Sequence, residues 1–241
     1  VEGDLLLFSA DGARDPALYA LDKRTGNIRW RTPRDATAKK KFSFCTPIVI
    51  DVEGRRQIIS PASDYVFAYD LSGKQIWKSH YPGGYSVVPR PLYANGLIYV
   101  SSGYDRPVVY AVRPTGSGDV TETHIVWKTD KNAPHNSSPI VVGDLFFMAA
   151  DTGVVSCLNA RSGELIWRER VARQTSSSLL HASGRIYLID EQGKTYVFAA
   201  TKSYKLLAEN DLSDRTLASF AADDGTLYVR TASALWRIGE K

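Results

Sequence analysis

The sequence is poor in the residues that announce chemistry. Its 241 residues hold two cysteines, Cys45 and Cys157, with no C-x-x-C and no histidine pair beside either, which excludes a zinc site of recognisable spacing. No stretch approaches the roughly 18 apolar residues of a membrane-spanning helix. No signal peptide is visible, because Val1 opens directly into "VEGDLLLF", which reads as strand. Charge of one sign is also scarce: 30 Lys and Arg against 26 Asp and Glu leave +4, too little to argue for nucleic acid. The densest basic run, Lys39-Lys40-Lys41, has no aromatic interleaving and reads as a solvated loop. No segment sustains a 3.6-residue apolar period, so helix should be scarce. A hydrophobic content of 44% is nevertheless ordinary, and the chain is long enough to bury a core as one all-β unit or as two small domains.

What is present is repetition. "LYALDKRTGNIRWRT" (18–32) recurs as "VFAYDLSGKQIWKS" (66–79), with a turn one residue shorter, and as "VSCLNARSGELIWRE" (155–169), with Asn159 for the aspartate. "VYAVRPTGSGDVTETHIVWKT" (109–129) repeats it with an insertion, and "YVFAATKSYKLLAE" (196–209) is a decayed copy. The tryptophan column is Trp30, Trp77, Trp127 and Trp167, then Leu207, in steps of 47, 50, 40 and 40 residues, the range of propellers and solenoids. Each period divides into short runs of Val, Ile, Leu and Phe closed by Gly, Asp, Asn or Ser, as in "SPIVVGD", "LFFMAADTG", "VVSCLNARSG" and "ELIWRERV". These read as four strands and three turns. The expected fold is therefore an all-β propeller of four-stranded antiparallel blades, with a solenoid as the runner-up. The blades fall roughly at 1–38, 39–81, 82–131, 132–171, 172–213 and 214–241, about five and a half in all.

The spacing of the motif has a physical reading. Asp22 ends a third strand and accepts hydrogen bonds from the turn, as Asp70 and Asn159 would in their own copies, while Gly26 supplies a backbone angle that a Cβ resists. Trp30 then lies on the outermost strand and covers the seam to the next blade. Burying ~200 Å² of indole is worth at most ~5 kcal/mol. The small column Ala20, Ala68, Ala111, Cys157 and Val197 implies tight sheet packing, so Cys157 reads as a core residue rather than a reactive thiol.

The string A-x-D-x-x-T-G-x-x-x-W, complete at Ala20–Trp30, resembles the tryptophan-docking motif of the pyrroloquinoline-quinone (PQQ)-like repeat family, and its echoes cover nearly the whole chain. Relatives in that family include quinoprotein alcohol dehydrogenases, the outer-membrane assembly lipoprotein BamB and exported repeat proteins of planctomycetes and related bacteria. The stretches "YPGGYSVVPRPLY" and "TDKNAPHNSSPIVVGD" are most similar to the last group. The resemblance implies an eight-bladed ring of which this chain is the C-terminal part, a six-bladed ring being the alternative. It also implies a periplasmic or extracellular location.

Ligands of propellers gather where the innermost strands begin. The residues before the common proline slot are Thr46, Arg90, Ser138, Ser178 and Ser219, four small hydroxyls and one arginine. Small hydroxyls suit a crowded axis and satisfy strand ends, whereas Arg90 can bind an anion, a carboxylate or an ortho-quinone. His135 precedes another innermost strand, and Tyr104, Asp105 and Arg106 form a loop excursion; each also has a plain loop-fixing role. The insertion Pro114–Thr123 reads as a protruding turn able to meet a partner. The resemblance brings PQQ with Ca²⁺ as a cofactor pair, but calcium takes six to eight oxygen ligands and no Glu/Asn/Asp set stands at matching innermost positions, so no cofactor, no metal site and no catalytic residue is predicted. The expected function is a non-catalytic scaffold for a protein or extracellular polymer. A channel-mouth module for a small anion or sugar is the alternative, and a PQQ-dependent alcohol or sugar dehydrogenase the second.

Overall fold

The computed structural model describes residues 1–12, 14–35 and 38–239; residues 36–37 and 240–241, in the first and last expected blades, lie outside it, as does residue 13. The chain forms two compact units, Val1–Lys131 and Asn132–Lys241. Both are built from antiparallel meanders of short strands.

The first unit has three sheets. The first contains β1 (Leu5–Ala10), β2 (Ala17–Asp22) and β3 (Ile28–Pro33). β4 (Ile48–Val52), β5 (Arg55–Pro61), β6 (Tyr65–Tyr69) and β7 (Gln75–His80) make the second. The third consists of β8 (Leu92–Ala94), β9 (Leu97–Ser101), β10 (Val109–Val112) and, after an excursion, β12 (Ile125–Thr129). That excursion holds β11 (Gly118–Asp119) and the single helical turn α1 (Thr121–His124). It does not protrude, contrary to the sequence expectation. β11 lies parallel to β7, with Gly118 opposite Trp77 and Asp119 opposite Lys78, and becomes a fifth strand of the second sheet. An outer edge with unpaired N–H and C=O groups is thereby covered by the neighbouring blade.

The second unit repeats the pattern. Its sheets are β13 (Ile140–Val142), β14 (Leu145–Ala149), β15 (Val154–Asn159) and β16 (Leu165–Arg170); β17 (Leu180–Ala182), β18 (Arg185–Ile189), β19 (Lys194–Ala199) and β20 (Leu206–Asp211); and β21 (Ala221–Asp223), β22 (Thr226–Arg230) and β23 (Leu235–Ile238).

One register recurs in five sheets. Ala20 pairs with Trp30, Ala68 with Trp77, Ala111 with Trp127 and Cys157 with Trp167, and the ladder shifts immediately after the small residue. The bulge re-aims the outer strand, and the small partner leaves room for the indole. In the fifth sheet the same shift puts Ala208, not Leu207, opposite Val197. Leu207 is the bulged residue and 44% exposed. The decayed copy is longer by one residue, which moves the column position from Leu207 to Ala208.

The core lies between successive sheets. Leu18, Ile58, Phe67 and Tyr69 pack with Trp30 across the first pair. Ile59, Val66, Trp77, Ile98 and Val112 fill the second. In the second unit Phe147, Cys157, Ile186 and Phe198 pack with Trp167 and Tyr204. Burial pushes the Cys45 and Cys157 thiols up to about 12, so both stay protonated and serve as packing groups.

Candidate functional site

The turns that the motif builds carry no free chemistry. Asp22 Oδ1 accepts from the N–H groups of Arg24 and Thr25, each at 2.9 Å, and Gly26 closes the turn at φ 74°. The Thr25 N–H, then Arg29 and the Arg24 N–H, hold the Asp22 carboxyl well below the usual carboxylate range. Asp70 receives Ser72 and Lys74 in the same way, and Asn159 receives Arg161 and Ser162.

Three of the tryptophans fasten neighbouring blades. Trp30 donates from Nε1 to the Leu71 carbonyl at 3.0 Å, and Trp167 to the Thr201 carbonyl at 3.0 Å. A Cβ on Gly73 would stand 2.7 Å from Cε3 of Trp30, so the indole lies on a glycine that cannot be replaced without movement. Trp77 works through an intermediary. Its Nε1 donates to Gln57 Oε1 at 3.0 Å, and Gln57 Nε2 donates to the Pro114 carbonyl at 3.1 Å. Trp127 is 8% exposed and packs against Tyr99 at 5.8 Å between ring centres.

The channel-mouth candidates divide between the units. Ser138, Ser178 and Ser219 stand together: the Ser138 N–H donates to Ser178 Oγ at 3.0 Å, and the Ser178 N–H to Ser219 Oγ at 2.8 Å. These hydroxyls tie successive innermost strands. His135 is held by Asp151, whose Oδ2 lies 2.8 Å from its backbone nitrogen and 3.1 Å from Nδ1, while Asn136 takes Oδ1. The imidazole anchors a loop to the β14–β15 turn. In the first unit Thr46 and Arg90 are exposed just before β4 and β8.

A richer cluster forms at the end of the first unit where the β3–β4, β5–β6, β7–β8 and β9–β10 loops emerge. Tyr85 donates to Asp105 Oδ2 at 2.9 Å, its ring lies edge-on to Tyr104 at 5.8 Å, and Lys40 sits 3.8 Å above it. Lys40 also reaches Asp105 at 3.4 Å. The Tyr85 hydroxyl and the Asp105 carboxylate raise the Lys40 pKa, so the ammonium charge is retained. Arg106 donates its N–H to the Tyr104 carbonyl at 3.2 Å, which closes the loop. A cavity of about 480 Å³ adjoins this group, bordered by Lys39, Asp64 and His80 as well. Within the basic run, Lys40 is therefore not simply solvated, as the sequence implied; its aromatic partner arrives from residue 85.

Sequence reasoning also missed a buried ion pair below these loops. Arg34 makes two 2.9 Å bonds to Asp11, a third to Ser60 Oγ at 2.9 Å, and lies 5.5 Å from the Phe67 ring centre. Burial opposes the charge, but Asp11 outweighs it and the Arg34 pKa is raised. The pair fastens the first sheet to the second, and both side chains are buried.

Among the described residues no three His, Cys, Asp or Glu side chains converge as a metal site.

A family model described as "Outer membrane protein assembly factor BamB" matches residues 1–125 and 118–236. BamB of Escherichia coli (strain K12) is 26% identical over 100 residues, covering 42% of this chain and 25% of that relative. BamB of Yersinia pestis is 26% identical over 95 residues, 39% of this chain and 24% of the relative. The matched stretches thus span about a quarter of these relatives' length. Among solved structures, BamB from Moraxella catarrhalis superposes with TM-score 0.72 at 13% identity, covering 98% of this chain and 70% of that one. A europium-containing methanol dehydrogenase gives 0.69 at 13% identity, covering 96% and 60%. At such identity these likenesses establish the fold, a β-propeller, and leave activity open.

Proposed function

The chain belongs to the family of the outer membrane protein assembly factor BamB, and from that premise we propose that it is a non-catalytic propeller scaffold that presents its loops to a protein partner. We place it in the periplasm or outside the cell, as part of an eight-bladed ring. No helix among the described residues is long and apolar enough to cross a membrane. The observation that carries the reading is the loop end of the first unit, where Phe42, Phe44, Val88 and Tyr104 are exposed together beside a basic run. Contiguous exposed apolar groups rimmed by charge mark interaction surfaces. Affinity capture from an exported fraction with the 241-residue chain returns one recurrent protein if the reading holds, and consistently blank captures overturn it.

A second reading gives the channel mouth to a small anion or sugar. It is favoured by Arg90, which stands exposed at the strand start where the other blades carry hydroxyls. Carboxylate or phosphate ligands then raise the melting temperature of the native chain and fail to do so after Arg90→Ala. An unchanged response in the variant ends that reading. A clear thermal shift with PQQ and Ca²⁺ would overturn both in favour of a quinoprotein.

A further inference from the structure

Within the two units, three seams between successive sheets hold an indole. Trp30 closes the first, Trp77 the second, and Trp167 the seam between the fourth and fifth sheets. The seam between the fifth and sixth sheets, in the second unit, holds none, because the register puts Ala208 in the tryptophan position.

The two seams of the second unit match residue by residue through their ladders. Leu145 and Arg185 each begin the second strand of their sheets. Phe147 pairs with Cys157 as Tyr187 pairs with Val197, and Cys157 pairs with Trp167 as Val197 pairs with Ala208. Across the seam, Ile186 pairs with Phe198 as Leu227 pairs with Ile238. Between the fourth and fifth sheets, Leu145, Phe147, Ile186 and Phe198 pack with Trp167 into one core, and Phe198 is 0% exposed. Between the fifth and sixth, the matching residues are Arg185, Tyr187, Leu227 and Ile238, and Ile238 is 43% exposed. These four, with Arg237, line a cleft of about 760 Å³. Exchange of a tryptophan for alanine has left open a space that its neighbour fills.

The walls of the cleft suit a flat ring. Tyr187 is held edge-on by Phe220, 6.4 Å away between ring centres. Arg237 Nη2 lies 3.5 Å from Thr226 Oγ1 at the start of β22. Phenol rings and guanidinium planes stack on aromatic faces, a gain that a rounded aliphatic molecule does not share. Asp223 and Asp224 also border the cleft, so two positive and two negative side chains offset one another. Ring shape, rather than net charge, selects the occupant.

We propose that this cleft binds a small planar aromatic molecule of indole size, which takes the place that Trp167 fills in the preceding seam. The site lies in the second unit and does not depend on the scaffold reading, so the two can fail separately.

The test is fluorine NMR of a fluorinated indole titrated with the 241-residue chain, in which the protein's own tryptophans are silent. Saturable line broadening is expected, reversed by unlabelled indole and not by adamantanol, which is apolar but not planar. Ala208→Trp should fill the cleft with the protein's own indole, raise the melting temperature and abolish binding. Tyr187→Ala should weaken binding about tenfold while the chain still melts cooperatively. The proposal is overturned if the fluorinated indole does not bind, if adamantanol displaces it equally well, or if Ala208→Trp binds it as tightly as the native chain. Should Ala208→Trp fail to fold, undiminished binding by Tyr187→Ala overturns the proposal instead.

Discussion

Asp22 and Asn159 hold equivalent turns through the same Oδ1 atom, one charged and one neutral. Both accept two backbone N–H groups at 2.9–3.0 Å. Asp22→Asn should therefore keep the turn, whereas Asp22→Ala strips two N–H groups of their acceptor and lowers the urea midpoint. The pH dependence follows from the depressed carboxyl of Asp22. A carboxylate held below its unfolded value stabilises the fold above about pH 4, and that contribution is lost as pH falls toward the folded value. The advantage of the native chain over Asp22→Ala should shrink in acid, while that of Asp22→Asn over Asp22→Ala stays level; parallel pH profiles would refute the assignment. Arg34 makes a larger prediction. Asp11→Ala leaves a guanidinium buried without its carboxylate and should cost about 3–5 kcal/mol in chemical denaturation. Asp22, Gly26 and Trp30 were legible because the motif repeats. Asp11 and Arg34 belong to one interface only, 23 residues apart, and no periodicity marks them.

Among elements, the excursion between β10 and β12 alters how one blade is fastened. Trp30 and Trp167 reach a carbonyl of the next turn directly, whereas Trp77 does so through Gln57 and Pro114. Gln57→Leu should leave the Trp77 N–H and the Pro114 carbonyl unsatisfied inside the protein, at about 1–3 kcal/mol, with a shift in tryptophan emission. The same substitution without loss of stability would show the relay to be incidental. Gly73→Ala meets both a φ of 86° and the Trp30 ring, and should cost about 1–3 kcal/mol. The excursion is legible in the sequence, but its place in the neighbouring sheet is not. A two-residue strand such as β11 carries no period, and its pairing with β7 depends on a partner some forty residues earlier. The fifth column was misplaced for a similar reason: one added residue in a turn shifts a register silently, and Ala208 has no side chain large enough to announce the position.

For the whole molecule, the fold was readable because a propeller writes itself several times into one chain. Four tryptophans, each opposite a small residue and beside a bulge, are enough to identify a blade. The surface proposed for function is written once. Lys40, Tyr85 and Asp105 come from the β3–β4, β7–β8 and β9–β10 loops and meet only in the folded unit. The hydroxyl column at the strand starts was legible, and Ser138, Ser178 and Ser219 are joined by bonds that tie the blades to one another. The account therefore stands on whether the loop end of the first unit meets a protein. A photo-crosslinking residue at position 44, with a control at Ile28, which is 61% exposed on β3, tests this in an exported fraction. The account predicts one recurrent protein adduct at position 44 and none at position 28. Adducts that form equally at both positions, or at neither, would contradict it.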